Sequence, residues 1–325
     1  MEEVLEKYVG RLAPSPTGAL HLGNARTFMI AWLRARSLGG RVVMRMEDLD
    51  HPKDKPGAAA QAIEDLRWLG FDWDAEFTQS ERRAIYRAAL ERLAAAGLCY
   101  PCICSRRDVE AAQSAPHAGE QLFYPGTCRG KFASWREAAA AISPRIPCWR
   151  FKTPQDSKVT FTDSFAGEFS QDVAATLGDF PIARDPDGAG YTLAVIVDDA
   201  AMGVTEVVRG DDLLAATPAQ ILIQRALGLQ TPHYCHVPLV VGTDGRRLAK
   251  RHGDTRIATF RESGQSPEAV IGMLAASCGW CRPGERISLR DLVPRFSLDA
   301  IPRAPFVFTM QGSQLSTLDS QLKKI

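Results

Sequence analysis

The chain has 325 residues, 45% hydrophobic and 24% charged, a composition that excludes a disordered or fibrous protein and provides for a sizeable core. A formal net charge of +1 excludes a global basic field, so any contact with nucleic acid is expected to use a local patch. The N-terminus MEEVLEKYVG lacks an export pattern and no run approaches about 18 apolar residues, so a cytoplasmic protein without a membrane span is expected, its cysteines reduced or metal-bound.

Tyr8 to Ala13 reads as a short buried strand ending in the turn-rich Pro14-Ser15-Pro16-Thr17-Gly18. The apolar spacing from Asn24 to Ser37 predicts a helix stopped by Gly39-Gly40, and Arg41 to Met46 predicts the next strand. Strand, helix and strand in this succession form the unit of a doubly wound parallel α/β sheet, whose ligands sit at the carboxyl ends of the strands. Arg11 to Gly18 and Glu47-Asp48 fall at such ends. Helices are predicted from Gly57 to Leu69 and from Glu81 to Ala96, the second closed by Gly97. Residues 99 to 130, rich in proline, glycine and cysteine, read as a metal-held insertion. Short strands are predicted at Trp149 to Lys152, Val159 to Thr162 and Tyr191 to Val197, and a helix at Pro218 to Leu227.

In RLAPSPTGALHLGNAR, Arg11 to Arg26, a strand end, a glycine-bearing loop and a helix start bring backbone amides together with His21. Such an arrangement suits phosphate, because free amides and the helix dipole attract an anion. Taken alone, HLGN fits an ordinary capped turn better than a phosphate site. Downstream, GRRLAKRHGD carries a basic loop that by itself fits a solvated surface.

Together the two segments resemble the HIGH and KMSKS signatures of class I aminoacyl-tRNA synthetases, in the form of the glutamate-specific branch, the glutamyl-tRNA synthetase group. The likeness runs from about residue 8 to residue 308. It implies a Rossmann-type core in which His21 and Lys250 are catalytic and Gly18, His21, Gly23, Asn24 and Lys250 contact ATP, with Mg2+ on the nucleotide. Arg247-Leu248-Ala249-Lys250-Arg251 departs from the pattern, with arginine and alanine replacing the first lysine and the serine.

A glutamate pocket needs arginine for carboxylate and an acid for the ammonium group. The resemblance places Arg11, Glu47, Tyr191 and Arg209 there, with Ser15 and the backbone of Leu12, Ala13 and Pro14. Singly, each also fits a structural ion pair or a core tyrosine. Lys53 stands where the group has arginine. Asp48, Asp50, Asp198 and Asp199 are open between ligand contacts and loop caps.

Cys102, Cys104 and Cys128 have a spacing able to close a zinc site. From ligand chemistry alone His117 or Cys99 is the better fourth donor. The resemblance to the short glutamate-activating members of the group selects Tyr124, and a site closed by four protein ligands is structural. Cys278 and Cys281 read as incidental packing, Cys148 and Cys235 as core.

The implied organisation is residues 1–98 for the first half of the core, 99–132 for the zinc-binding insertion, 133–241 for an acceptor-like insertion and the second half, 242–308 for the KMSKS-type loop and a short helical region, and 309–325 for a polar tail. The stretch after Lys250 is too short for the helical anticodon-binding domain of full-length members. The expected activity is that of the truncated members: a monomer that activates L-glutamate with ATP and esterifies queuosine in the anticodon loop of tRNA(Asp). A catalytic fragment charging tRNA(Glu) and a catalytically silent RNA-binding paralogue are the alternatives.

Overall fold

Strand β1 (Val9–Leu12) is buried along its whole length, as befits a strand covered on both faces. The computed structural model describes residues 7–49, 55–111, 122–186, 190–246, 248 and 254–309. Helix α1 (Leu22–Ser37) follows β1 and buries Met29, Ile30, Trp32 and Leu33. It ends where Gly39 takes a φ of 64° and the Gly40 N–H turns back to the Ala35 carbonyl. The chain returns as β2 (Arg41–Met46), parallel to β1 with Val9 opposite Arg41. Helix α2 (Ala58–Trp68) leads to β3 (Ala75–Thr78), parallel to β2.

Helix α3 (Arg83–Ala95) precedes β4 (Cys99–Cys102) and the short α4 (Arg106–Ala111). Beyond them come α5 (Trp135–Ile142), β5 (Cys148–Phe151), β6 (Lys158–Asp163), β7 (Gly167–Asp172), α6 (Val173–Thr176) and β8 (Pro181–Ala183). Strands β4, β5 and β8 make a separate antiparallel sheet. The cysteine-bearing stretch is therefore stitched to strands outside residues 99–132, with Cys102 opposite Cys148.

The second half of the core contains α7 (Tyr191–Ala201), β9 (Glu206–Gly210), α8 (Thr217–Ala226) and β10 (His233–Val237). Its sheet has the order β7-β6-β10-β9, parallel except for the β6–β7 hairpin, so the sheets are mixed rather than wholly parallel. The halves meet where the Thr205 N–H donates to the Val9 carbonyl at 2.9 Å. Strand β11 (Val240–Val241), α9 (Ile257–Glu262), α10 (Pro267–Ala276) and β12 (Phe306–Val307) complete the described chain, with β12 parallel to β11. Among the described residues no helix is long and apolar enough to cross a membrane.

The strand expected at Tyr191 to Val197 is instead the first part of α7. Leu193 through Asp199 are all buried there, so no polar face imprints a helical period, and an uninterrupted apolar run cannot distinguish a buried helix from a buried strand.

Candidate active site

Arg11 lies in β1, Glu47 follows β2 and Arg209 lies in β9, so the parallel strands deliver all of them to one edge. They border a cavity of about 440 Å³ whose wall also includes Ala13, Pro14, Ser15, Gly18, His21, Gly23, Asn24 and Tyr191. Leu12 turns its side chain into the core, fully buried, leaving only its backbone to the loop. The sequence reading missed Thr17, Phe28, Asp212 and Leu213 in the same wall.

His21 is the N-cap of α1: its Nδ1 accepts from the Gly23 N–H at 3.1 Å and the Asn24 N–H at 3.4 Å. Asn24 Oδ1 accepts from the His21 N–H in return, completing a capping box. With Nδ1 occupied as an acceptor, the neutral imidazole carries its proton on Nε2. Lys250, with Arg247, Ala249 and Arg251, lies outside the described residues. The chain beyond it is nevertheless tied to the HLGN turn. The Leu22 N–H donates to the Thr255 carbonyl at 3.0 Å, the Ile257 N–H to the Leu20 carbonyl at 2.9 Å, and His21 bridges antiparallel to Arg256.

Arg209 is 5% exposed, yet its described partners are neutral. Nε donates to His236 Nε2 at 3.0 Å, and Nη2 donates to Thr217 Oγ1 and Gln220 Oε1, each at 2.8 Å. No carboxylate among the described residues forms an ion pair with it, and burial lowers its pKa. A buried guanidinium without a counterion carries a large desolvation cost that an anionic ligand relieves. Arg11 is different: its Nε stands 3.4 Å from Asp199 Oδ1 without a hydrogen bond, and Nη1 donates to the Val208 carbonyl at 3.4 Å.

Glu47 accepts from Arg45 Nη2 at 2.9 Å, and its N–H donates to the Pro14 carbonyl, joining the two strand-end loops. Burial raises its carboxyl pKa, opposed by Arg45 and Arg11. Tyr191 keeps 47% of its surface on the wall of the cavity, and the protein packed around its hydroxyl, followed by the Glu47 charge, raises the pKa of that group. Two arginines, one acid and a phenol in one cleft suit a molecule that carries carboxylates and an ammonium group.

The four open aspartates separate. Asp198 is fully buried and accepts from Arg82, Gln79 and Tyr86 at 2.7, 2.9 and 2.7 Å. Asp199 accepts from Arg45 at 2.6 Å, and Asp48 caps Ser80 through its N–H and hydroxyl. These are structural roles. Asp50 and Lys53 lie outside the described residues.

Away from the cleft, Cys102, Cys104 and Cys128 bring their sulfurs within 4.8 Å of one another. Tyr124 Oη lies 3.2 Å from the Cys102 sulfur and 3.5 Å from that of Cys104, and the Cys104 and Cys128 sulfurs are 3.5 Å apart. Thiolates held tetrahedrally at about 2.3 Å from zinc stand roughly 3.8 Å apart, so the donor set fits that ion. Arg150 donates Nε–H to the Cys102 sulfur at 3.2 Å and stacks 3.7 Å from the Tyr124 ring centre, placing a cation against a cluster that becomes anionic when deprotonated. The Cys148 thiol adds a hydrogen bond that lowers the Cys102 pKa. Cys148 is thus half-buried, packed against the small core that holds this cluster, whereas Cys235 is fully buried. Cys278 is also fully buried, and its CxxC partner Cys281 donates to the Gly272 carbonyl. His117 lies outside the described residues.

A helix N-terminus at the end of a parallel strand, its first amides taken by His21 and Thr255 rather than free as expected, stands beside a buried guanidinium and an acid, which suits a ligand bearing phosphate, carboxylate and ammonium groups. The family described as tRNA synthetases class I (E and Q), catalytic domain, matches residues 7–293. The chain belongs to this family. A Symbiobacterium thermophilum protein named Glutamyl-Q tRNA(Asp) synthetase is 49% identical over 307 residues, 91% of this chain and 94% of that protein. A Rhodopirellula baltica protein of the same name is 46% identical over 95% of this chain and 99% of its own. A Glutamate--tRNA ligase of Heliobacterium modesticaldum is 38% identical over 93% of this chain, but only 62% of that protein. The crystal structure of a glutamate tRNA ligase from Elizabethkingia meningosepticum in complex with its amino acid superposes with a TM-score of 0.77 at 28% identity, covering 94% of this chain and 67% of that one.

Proposed function

We propose that the protein activates L-glutamate with ATP and Mg2+ to glutamyl-adenylate and transfers the glutamyl group to queuosine in the anticodon loop of tRNA(Asp). The observation that carries the first half is the buried Arg209, without a carboxylate partner among the described residues, in one cavity with Glu47 and the His21 cap. Arg209 holds the side-chain carboxylate and Glu47 receives the ammonium group, assisted by Arg11, Tyr191, Ser15 and the loop backbone. The remaining carboxylate is then directed to the nucleotide. One of its oxygens attacks the α-phosphorus, and the bond to pyrophosphate breaks. Magnesium on the triphosphate supplies charge neutralisation. His21 donates from Nε2 to phosphate oxygens, the first amides of α1 add their dipole near Gly18, Gly23 and Asn24, and Lys250 brings a further positive charge.

The second half rests on relatives. Proteins named Glutamyl-Q tRNA(Asp) synthetase match over nearly their whole length, whereas this chain spans about three-fifths of the Heliobacterium ligase (62%). We further assign a structural zinc ion to Cys102, Cys104, Tyr124 and Cys128, and take the protein to act as a cytoplasmic monomer.

The test offers labelled glutamate to tRNA(Asp) with and without queuosine and to tRNA(Glu), and locates the label by nuclease digestion. Label on the anticodon-loop fragment of queuosine-bearing tRNA(Asp) alone is expected. Label at the 3′ end of tRNA(Glu) overturns the acceptor assignment in favour of a tRNA(Glu)-charging enzyme.

A further inference from the structure

Behind Arg209 lies a second layer with no ligand of its own. Asp163, at the end of β6, and His236, in β10, are 2% and 1% exposed. Asp163 Oδ1 accepts the backbone N–H groups of Phe165, Ala166 and His236 at 2.9, 2.7 and 3.0 Å. Oδ2 stands 2.6 Å from His236 Nδ1. An ionised carboxylate only accepts, so the imidazole proton is on Nδ1, and Nε2 is left as the acceptor that Arg209 Nε–H meets at 3.0 Å. Thr217 is compatible with this assignment: its hydroxyl accepts from Arg209 Nη2 and has one proton for either the Leu213 carbonyl or the bare His236 Nε2, 3.2 Å from each.

We propose that Asp163 and His236 are positioning residues for substrate: the imidazole, fixed as its Nδ1–H tautomer by Asp163, orients Arg209 while keeping a carboxylate from pairing with it directly. This rests on the assignment of Arg209 to the substrate carboxylate. A carboxylate against the guanidinium would occupy the site that substrate must fill. Interposing a neutral ring keeps the hydrogen bond and removes the competing charge, so the cation answers to an anionic side chain and not to its amide analogue. Burial first, then the Arg209 charge, lower the His236 pKa against the pull of Asp163, in keeping with a neutral ring.

The inference predicts an unusual effect of Asp163→Asn. Three backbone amides hold the carbonyl side of the new amide, so its NH2 faces His236 Nδ1 and drives the ring proton to Nε2, against Arg209 Nε–H. In ATP–pyrophosphate exchange on the full chain, Asp163→Asn should raise the KM for glutamate about tenfold or more while the KM for ATP stays unchanged. His236→Gln, whose carbonyl can still accept from Arg209, should lose less. Nitrogen-15 spectra of histidine-labelled protein, with His236 identified through His236→Gln, should show Nδ1 protonated and Nε2 bare. A wild-type proton on Nε2 overturns the proposal even if a variant fails to fold. So does Asp163→Asn with an unchanged glutamate KM, or with both KM values raised alike, when Arg209→Ala raises the glutamate KM. If Arg209→Ala itself leaves that KM unchanged, the assignment beneath the proposal is what fails.

Discussion

His21 accepts the backbone N–H of Gly23 at 3.1 Å through Nδ1, so the side chain assigned to phosphate is also the cap of the helix it begins. The two roles use different nitrogens and can be separated. His21→Asn keeps a good capping group and should leave stability within about 0.5 kcal/mol, whereas His21→Ala should lose about 1 kcal/mol in urea unfolding. Both should slow exchange about 100-fold, because both remove the Nε2 donor. Wild-type exchange in His21→Asn would remove His21 from the chemistry.

Lys250→Ala should slow glutamate-dependent exchange by about 100-fold or more with little change in unfolding, as expected for loss of one charge-stabilising group. An unaltered rate would show that another cation of the loop meets the triphosphate.

Elemental analysis should find one zinc per chain, because metal binding by such a small unit is coupled to its folding. Cys102→Ser and Tyr124→Phe should weaken retention against a chelator, and His117→Ala should not. Retention in Tyr124→Phe with loss in His117→Ala would reassign the fourth ligand.

Gly178 tests the same cluster through the backbone. Its φ is 62°, and a Cβ there would fall 2.0 Å from the Tyr124 carbonyl oxygen, which leaves no room for a side chain. Gly178→Ala should displace Tyr124, speed zinc release and lower the melting temperature, with the glutamate KM unaffected. Unchanged zinc release would mean that Tyr124 is not held by this contact.

The buried His236 gives stability a pH dependence whose sign follows from its lowered pKa. Below the ordinary value of 6.5 the unfolded chain takes up a proton that the folded ring resists, so this contribution is complete above pH 6.5 and is lost as pH falls through the folded pKa. The stability gap between wild type and His236→Gln should narrow between pH 7 and about pH 5 in denaturant titrations. A gap that widens would mean that the ring binds its second proton more readily in the fold.

Local pattern determined much of this protein. Arg41–Met46 is read as a strand with the bounds it has in the fold, because an apolar, β-branched run between glycine and an acidic turn needs no distant partner to declare itself. Arg11 and Glu47 were legible as strand-end residues for a related reason, because parallel strands place their carboxyl ends together, whereas Arg209, in a strand that local pattern did not reveal, was reached only through the family resemblance. Tertiary structure decided what depends on neighbours far along the chain. Tyr191 to Val197 proved to be helix, and because the run from Leu193 onward is buried no polar face marked its period. Cys148 joined the thiol cluster through its register opposite Cys102. Asp163 and His236, 73 positions apart, acquired their roles when β6 and β10 paired. Periodicity and turn chemistry are written in a few adjacent residues, whereas the partner of a buried polar group is chosen only when the sheet assembles around it.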